Sequence, residues 1–351
     1  MHIVHLVWQV LARREVRRRF PDLPFDLIHH NTYAGIRHPT LLGGLGVSLV
    51  LGPLGGGERA PYALRSGLGW KGWIKDAVRD LHTWLLRFDP ITRHACRHAI
   101  VVFVKTGQSR AALPAAGRRK AVVQSELGLH RVTTSMRAVR PLDAPLRVMF
   151  AGRFLYWKGM DLGLRALARH RVRGGRTRLS MVGRGPEEAA WRALAAALGL
   201  GEAVEWLGFV PHARMGDLYR EHDALLFPSL HDSGGNAVLE AFGQGLPVIC
   251  LNLGGPGEHV RDDCGRVVEV EGRTADEVVA GLAEALGELE RDPDLCHRLS
   301  LGALARARDF LWSRQLDRFY KGVESRMSLG ERPGAGAAKN GRAAAGGPAG
   351  Q

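Results

Sequence analysis

AGRFLYWKG (151–159), MVGRGP (181–186), GFVPH (208–212) and PSLHDSGGNAVLEAFGQGLPVICLNLGGPGEHV (228–260) succeed one another in the middle of the chain. Each begins at the end of a short apolar run: LRVMFAG, RLSMVG, VEWLGF and ALLFP, with PVICL and GRVVEV further on. Helix-period stretches at 160–170, 186–198, 213–221, 236–244 and 275–289 fill the intervals. This alternation predicts an α/β fold with a parallel sheet covered by helices. In open sheets of that kind ligands bind beyond the carboxyl ends of the strands, and all four quoted stretches fall there.

Their residue types suit an anionic, hydroxyl-rich ligand. Gly152 ends one strand, and Arg153 and Lys158 follow it on the loop. A departing diphosphate needs its charge met; arginine does so with a rigid fork of donors and lysine with a compact point charge. The plain alternative for these two alone is a pair of solvated loop cations. Ser233, Gly234 and Gly235 precede a helix expected from Asn236 and Ala237, so free backbone N–H groups should face the ligand. Glycine there lets the ligand approach the backbone. Glu240 lies four residues past Asn236 on the same helical face, placed to accept from ribose hydroxyls. Gly183 lets another loop pass close to the ligand, with Arg184 as a base or phosphate contact.

The order of the four stretches resembles the carboxy-terminal half of family 4 glycosyltransferases, the retaining group with the GT-B fold. The resemblance implies two Rossmann-like domains with parallel sheets facing a cleft, and a nucleoside-diphosphate sugar as donor. It implies that Arg153 and Lys158 hold the diphosphate without a metal ion, and it implies no cofactor. Phe209 and Val210 fall where the family's base-binding loop lies, although an apolar pair after a strand is more often plain core. The family pattern carries two glutamates separated by seven residues. Glu240 matches the second, but Asp232 stands at the first, an acid shorter by one methylene. Gly234 and Gly235 also replace the phenylalanine and glycine that often follow the first acid. Asp232 is expected to orient the sugar, whose identity these departures leave open.

The amino-terminal half offers FDLIHH, VSLVLG, AIVVFV and KAVVQ as strands and 73–87 as an amphipathic helix. Acceptor-side candidates are His29 and His30 at a strand end, and Gly55, Gly56 and Gly57 in GPLGGGE (52–58), which resembles a loop in a subset of the family. Residues 112–120 read as a surface loop and RPLDAP (140–145) as an interdomain linker. The family usually has further βα units ahead of the segment matching FDLIHH, so the first domain is expected to be incomplete. The expected division is an acceptor-side domain (1–142), a donor-binding domain (143–310), a helix crossing back to the first domain (311–327) and a disordered tail rich in Gly and Ala (328–351).

The 351 residues carry a formal net charge of +14. Arginine is spread over most segments, so composition explains the charge first. Peripheral contact with an anionic membrane, through Arg13–Arg19 of an amphipathic first helix with a solvated basic end, comes second. Nucleic acid comes last, as no basic groove studded with aromatics is visible. The four cysteines contain no CxxC pair and suit a reducing, cytoplasmic compartment. The function expected is transfer of a sugar to a glycan or lipid-linked hydroxyl acceptor. The alternative is a degenerate subunit that binds a nucleotide sugar without turnover. A hydrolase would need two facing carboxylates, which Asp232 and Glu240 do not suggest.

Overall fold

The computed structural model describes residues 2–328 except 32 and 66–68. Residues 329–351, nearly all of the expected tail, lie outside the described residues. The chain forms two parallel sheets. The first contains β1 (Leu27–His30), β2 (Ser48–Leu54), β3 (Ala99–Val104) and β4 (Ala121–Val123) in simple order 1-2-3-4. The second contains β5 (Arg147–Ala151), β6 (Arg178–Val182), β7 (Val204–Gly208), β8 (Ala224–Phe227), β9 (Val248–Leu251) and β10 (Gly265–Val268) in order 10-9-8-5-6-7. Every strand of β3, β8 and β9 is buried along its whole length, as expected of parallel strands covered on both faces. The edge strands β7 and β10 are only partly covered.

In the first half the helices are α1 (His2–Arg19), α2 (Gly69–Leu85), α3 (Pro90–His98), α4 (Gly107–Ala112) and α5 (Ala115–Lys120). In the second they are α6 (Met160–Val172), α7 (Glu188–Ala197), α8 (His212–Glu221), α9 (Asn236–Gly243), α10 (Gly254–His259), α11 (Ala275–Arg291), α12 (Pro293–Asp309) and α13 (Trp312–Ser328). The expected helices agree with these to within a few residues at their ends. α13 returns to the first sheet, where Phe319 packs on Phe103 at 4.1 Å between ring centres. The crossing is held by Gln315 Nε2 donating to the Leu127 carbonyl at 3.1 Å and by pairing of Leu129 with Leu311.

Three expectations are corrected. Residues 112–120 are not a loop: Thr106 caps α4 through Ser109 N–H, and α5 follows Pro114 and lies against α3. Gly117 permits that approach, since a Cβ there would stand 2.7 Å from Cys96 Sγ. In GPLGGGE the first three residues belong to β2, so the loop proper starts at Gly55. Helix α1 does end in exposed arginines, but it is amphipathic in the reverse sense. Its inward residues are the polar His5 and Gln9, with Gln9 Oε1 accepting from Thr40 Oγ1 at 2.9 Å, while Val4, Val7 and Leu11 face outward. The segment 140–145 rests on the second sheet's helices, Arg140 donating to the Glu290 carbonyl at 2.7 Å.

Candidate active site

The chain winds from β5 outward through β6 to β7, then returns to the other side of β5 with β8, β9 and β10. The crevice between β5 and β8 is therefore a topological switch point, where the loops of an open α/β sheet part and admit a ligand. The loop after β5 carries Lys158; the loop after β8 carries Asp232. They meet as an ion pair, Lys158 Nζ to Asp232 Oδ2 at 2.5 Å, both largely shielded from solvent. The Lys158 ammonium also lies 4.8 Å from the centre of the Phe227 ring. An ammonium has three donors, so two remain after Asp232 is served.

A cavity of about 470 Å³ opens at this crevice, lined by Gly152, Lys158, Asp232, Gly234, Gly235, Asn236, Ala237 and Glu240 among others. Eight of the sequence-predicted residues thus share one wall. Two details differ from the expectation. Gly234 and Gly235 N–H are not free: both donate to Asp232 Oδ1, at 3.3 and 2.8 Å. The N–H groups left to face a ligand are those of Asn236 and Ala237, in the first turn of α9. Glu240 Oε2 accepts from Tyr219 OH at 3.0 Å, which leaves its other oxygen for a hydroxyl. Burial, and then the Glu240 charge, raise the Tyr219 phenol well above its ordinary pKa, so it remains a donor to Glu240.

The remaining donor-side candidates surround this cavity without lining it. Arg153 is exposed and has no hydrogen bond or ion pair among the described residues. Gly183 has φ +131°, and a Cβ there would stand 1.9 Å from the Gly152 carbonyl oxygen. Arg184 lies beside Gly208, and Phe209 is 73% exposed, so Phe209 is not core. Val210 packs partly on the core. Ser233 faces the first sheet, its Oγ 3.0 Å from where a Cβ on Gly55 would be. Gly55 therefore reaches the cleft, with Gly56 (φ +96°) and Gly57 following it. Gly56 N–H and Gly57 N–H are held by Glu58 Oε2 and Ser109 Oγ.

His29 and His30 stand apart from the cavity. His29 Nε2 donates to the Gly52 carbonyl at 2.7 Å and its ring packs on Phe319 under α13. His30 is buried, which with His5 and His29 nearby lowers its pKa to about 4. Both were acceptor-side candidates only because they end a strand.

The sequence reading missed several residues of the site. Glu126, Leu127, Ala151, Met215, Tyr219 and Phe227 complete the cavity wall. Lys105, directly after β3, pairs with Glu126; a cation at the carboxyl end of a strand was the signal that could have found it. Bridges across the cleft were not legible. Glu258 Oε1 accepts from Gly107 N–H at 2.8 Å, and His231 Nε2 lies 2.7 Å from Asp76 Oδ2 of α2, while Asp76 Oδ1 accepts from Tyr156 OH at 3.1 Å. Behind the glycine loop, His259 Nε2 donates to the Gly234 carbonyl at 2.9 Å. Among the described residues no group of His, Cys, Asp or Glu is placed to hold a metal ion.

Burial lowers the pKa of His259, like that of His30, to about 4. Both values lie below the ordinary 6.5, so the unfolded chain takes up these protons first as pH falls. Their contribution is complete above pH 6.5 and lost progressively toward pH 4. At about 1.4 kcal/mol per pKa unit, the loss is on the order of a few kcal/mol for the pair. Chemical denaturation between pH 7 and 4.5 should show it, and His30→Leu should flatten the slope. A stability independent of pH over that range would refute the assignment.

Comparison with known proteins agrees with this geometry. The family model described as glycosyl transferases group 1 matches residues 133–304. A D-inositol 3-phosphate glycosyltransferase of Acidothermus cellulolyticus is 34% identical over 204 residues, which are 55% of this chain and 44% of that protein. A glycogen synthase of Mycobacterium tuberculosis is 30% identical over 190 residues, 53% of this chain and 44% of the relative. The chain spans less than half the length of either. Among solved structures, Anabaena HepE in complex with UDP superposes with a TM-score of 0.60 at 18% identity, covering 90% of this chain and 82% of that one. Sucrose-phosphate synthase from Thermosynechococcus elongatus gives 0.59 at 18% identity, covering 91% and 78%. Two parallel sheets whose strand-end loops meet across a cleft, in an arrangement shared with these structures, make the fold GT-B. Through residues 133–304, the chain belongs to the group 1 glycosyl transferases.

Proposed function

We propose that the protein transfers a sugar from a nucleoside-diphosphate sugar to a hydroxyl of a glycan or lipid-linked acceptor, with retention of configuration. The observation that carries this reading is the Lys158–Asp232 pair at the switch point, with Glu240 on the helix that follows. Lys158 and Arg153 neutralise the diphosphate as it departs, helped by the positive end of α9. Asp232 orients the sugar through the carboxylate that the glycine loop holds in place. Glu240 takes a ribose hydroxyl on its oxygen not engaged by Tyr219. Phe209 and Arg184, both exposed beside Gly208, receive the base. The leaving phosphate can accept the acceptor's proton, so no side-chain base is required. The protein works in the cytoplasm, peripheral at the membrane when its acceptor is lipid-linked.

HepE was solved with UDP, which favours UDP among the candidate bases. A thermal-shift series with UDP, GDP, ADP and CDP tests the site. A diphosphate at ~100 times its dissociation constant adds about 2.7 kcal/mol of stability. Stabilisation by UDP, lost when Arg153 and Lys158 are both changed to alanine, is the expected result; indifference to all four would overturn the reading. Release of UDP from a UDP-sugar in the presence of crude acceptor then separates a transferase from a subunit that only binds.

A further inference from the structure

Helix α2 is built inside out. Its inward side is polar: Asp76, Asp80 and Thr83 are buried, with Asp80 paired to Arg65 and Asp76 bound to His231 and Tyr156. Its outward side is apolar. Trp73, Ile74, Val78, Leu81 and Trp84, with Phe88 just past the helix end, recur at helical spacing and are each 47–63% exposed. The Trp84 and Phe88 rings pack edge to face at 5.2 Å, so the stripe is cohesive. Monomeric soluble domains rarely leave such a continuous patch to water.

Charge sorts across the same helix. Both carboxylates of α2 turn inward, whereas the exposed charges along the stripe include Lys75, Arg87 and Arg93, the last 5.7 Å from the Phe88 ring centre. Helix α1 lies alongside, since His5 and Leu6 line one cavity with His82 and Leu85 of α2. Its outward Val4, Val7 and Leu11 extend the apolar surface. Its last turn adds Arg17, Arg18 and Arg19, of which Arg18 and Arg19 share Glu15. An aromatic, apolar centre rimmed by cations suits the interface of a bilayer with anionic headgroups, where tryptophan is favoured. A second copy of the chain would instead bring cation against cation.

We propose that the outward face of α2, with the adjoining apolar side of α1, docks on an anionic membrane surface. Asp76, on the opposite side of α2, bonds the residue preceding Asp232, so docking places the donor cleft about one helix diameter, roughly 10 Å, from the lipid. A lipid-linked hydroxyl is then the acceptor presented to it. The choice of acceptor rests on the transferase reading above; the docking does not.

The full chain should float with phosphatidylcholine vesicles containing phosphatidylglycerol, and hardly with phosphatidylcholine alone. Changing Trp73, Val78, Leu81 and Trp84 to serine should lower the bound fraction by about tenfold or more. Lys75→Glu with Arg87→Glu should also weaken binding, most at low salt. Both variants alter exposed groups, so the melting temperature and the UDP shift should hold. Absence of wild-type binding to the anionic vesicles, or binding that survives both variants, would overturn the proposal. So would a solution dimer that the serine variant splits, since the stripe would then be a protein interface. A missing UDP shift alongside intact vesicle binding would sink the donor reading alone.

Discussion

Replacing Lys158 with alanine should lower kcat/KM for sugar transfer by roughly 10²–10³, the usual consequence of losing one preorganised charge at a developing anion. Lys158 is the cation that the switch point places inside the cavity, with one donor on Asp232 and two to spare. Its neighbour Arg153 is exposed and outside the cavity wall, so Arg153→Ala should cost less. Lys158→Arg should recover part of the activity, because charge is kept while the compact ammonium geometry is not. The melting temperature should barely move, since Asp232 remains bonded to Gly234 and Gly235 N–H. Initial rates of UDP release from a UDP-sugar measure the effect. A Lys158→Ala rate within a few-fold of wild type would remove Lys158 from the mechanism.

Gly183→Ala should be the most damaging small substitution near the site. The new Cβ would fall 1.9 Å from the Gly152 carbonyl oxygen and 3.1 Å from the Phe154 ring, at φ +131°, where side chains are strained. Neither obstacle is the free end of a flexible side chain. The loops after β5 and β6 must part, breaking the Gly152 N–H bond to the Val182 carbonyl (3.0 Å) and the Phe154 N–H bond to the Arg184 carbonyl (2.9 Å). A cost of about 3–5 kcal/mol follows. For a domain of this size that lowers the melting temperature by roughly 10 °C. Gly201→Ala is the control, because its Cβ meets nothing within 4 Å. Calorimetry of the two variants decides the matter, and equal melting temperatures would mean that the loops adapt.

Much of the second sheet was legible because its physics is local. A parallel strand covered on both faces must be apolar throughout, so PVICL and ALLFP announce themselves without reference to partners. Glycines at the strand ends mark close backbone approach, and Gly152, Gly183 and Gly235 stand where the structure leaves no room for, or strains, a side chain. The first half was less legible. Short helices such as α4 and α5 hold too few turns to show a period, and Gly52 and Pro53 look like a turn although they lie within β2.

The sequence alone determined the strands, the order of the loops and the residue types they bring to the cleft, because burial and backbone freedom act over a few neighbouring residues. It also pointed to an amphipathic helix at 73–87, which the structure places at Gly69–Leu85. Only the tertiary structure decided which side of that helix is inward, since periodicity has no sign: Asp76 and Asp80 went in and Trp73 and Trp84 stayed out. Strand order likewise decided the site. Lys158 and Asp232, 74 residues apart, meet because β8 lies against β5, whereas His29 is drawn under α13 and away from the cleft. Such pairings depend on contacts between segments distant in the chain, and no local pattern encodes them.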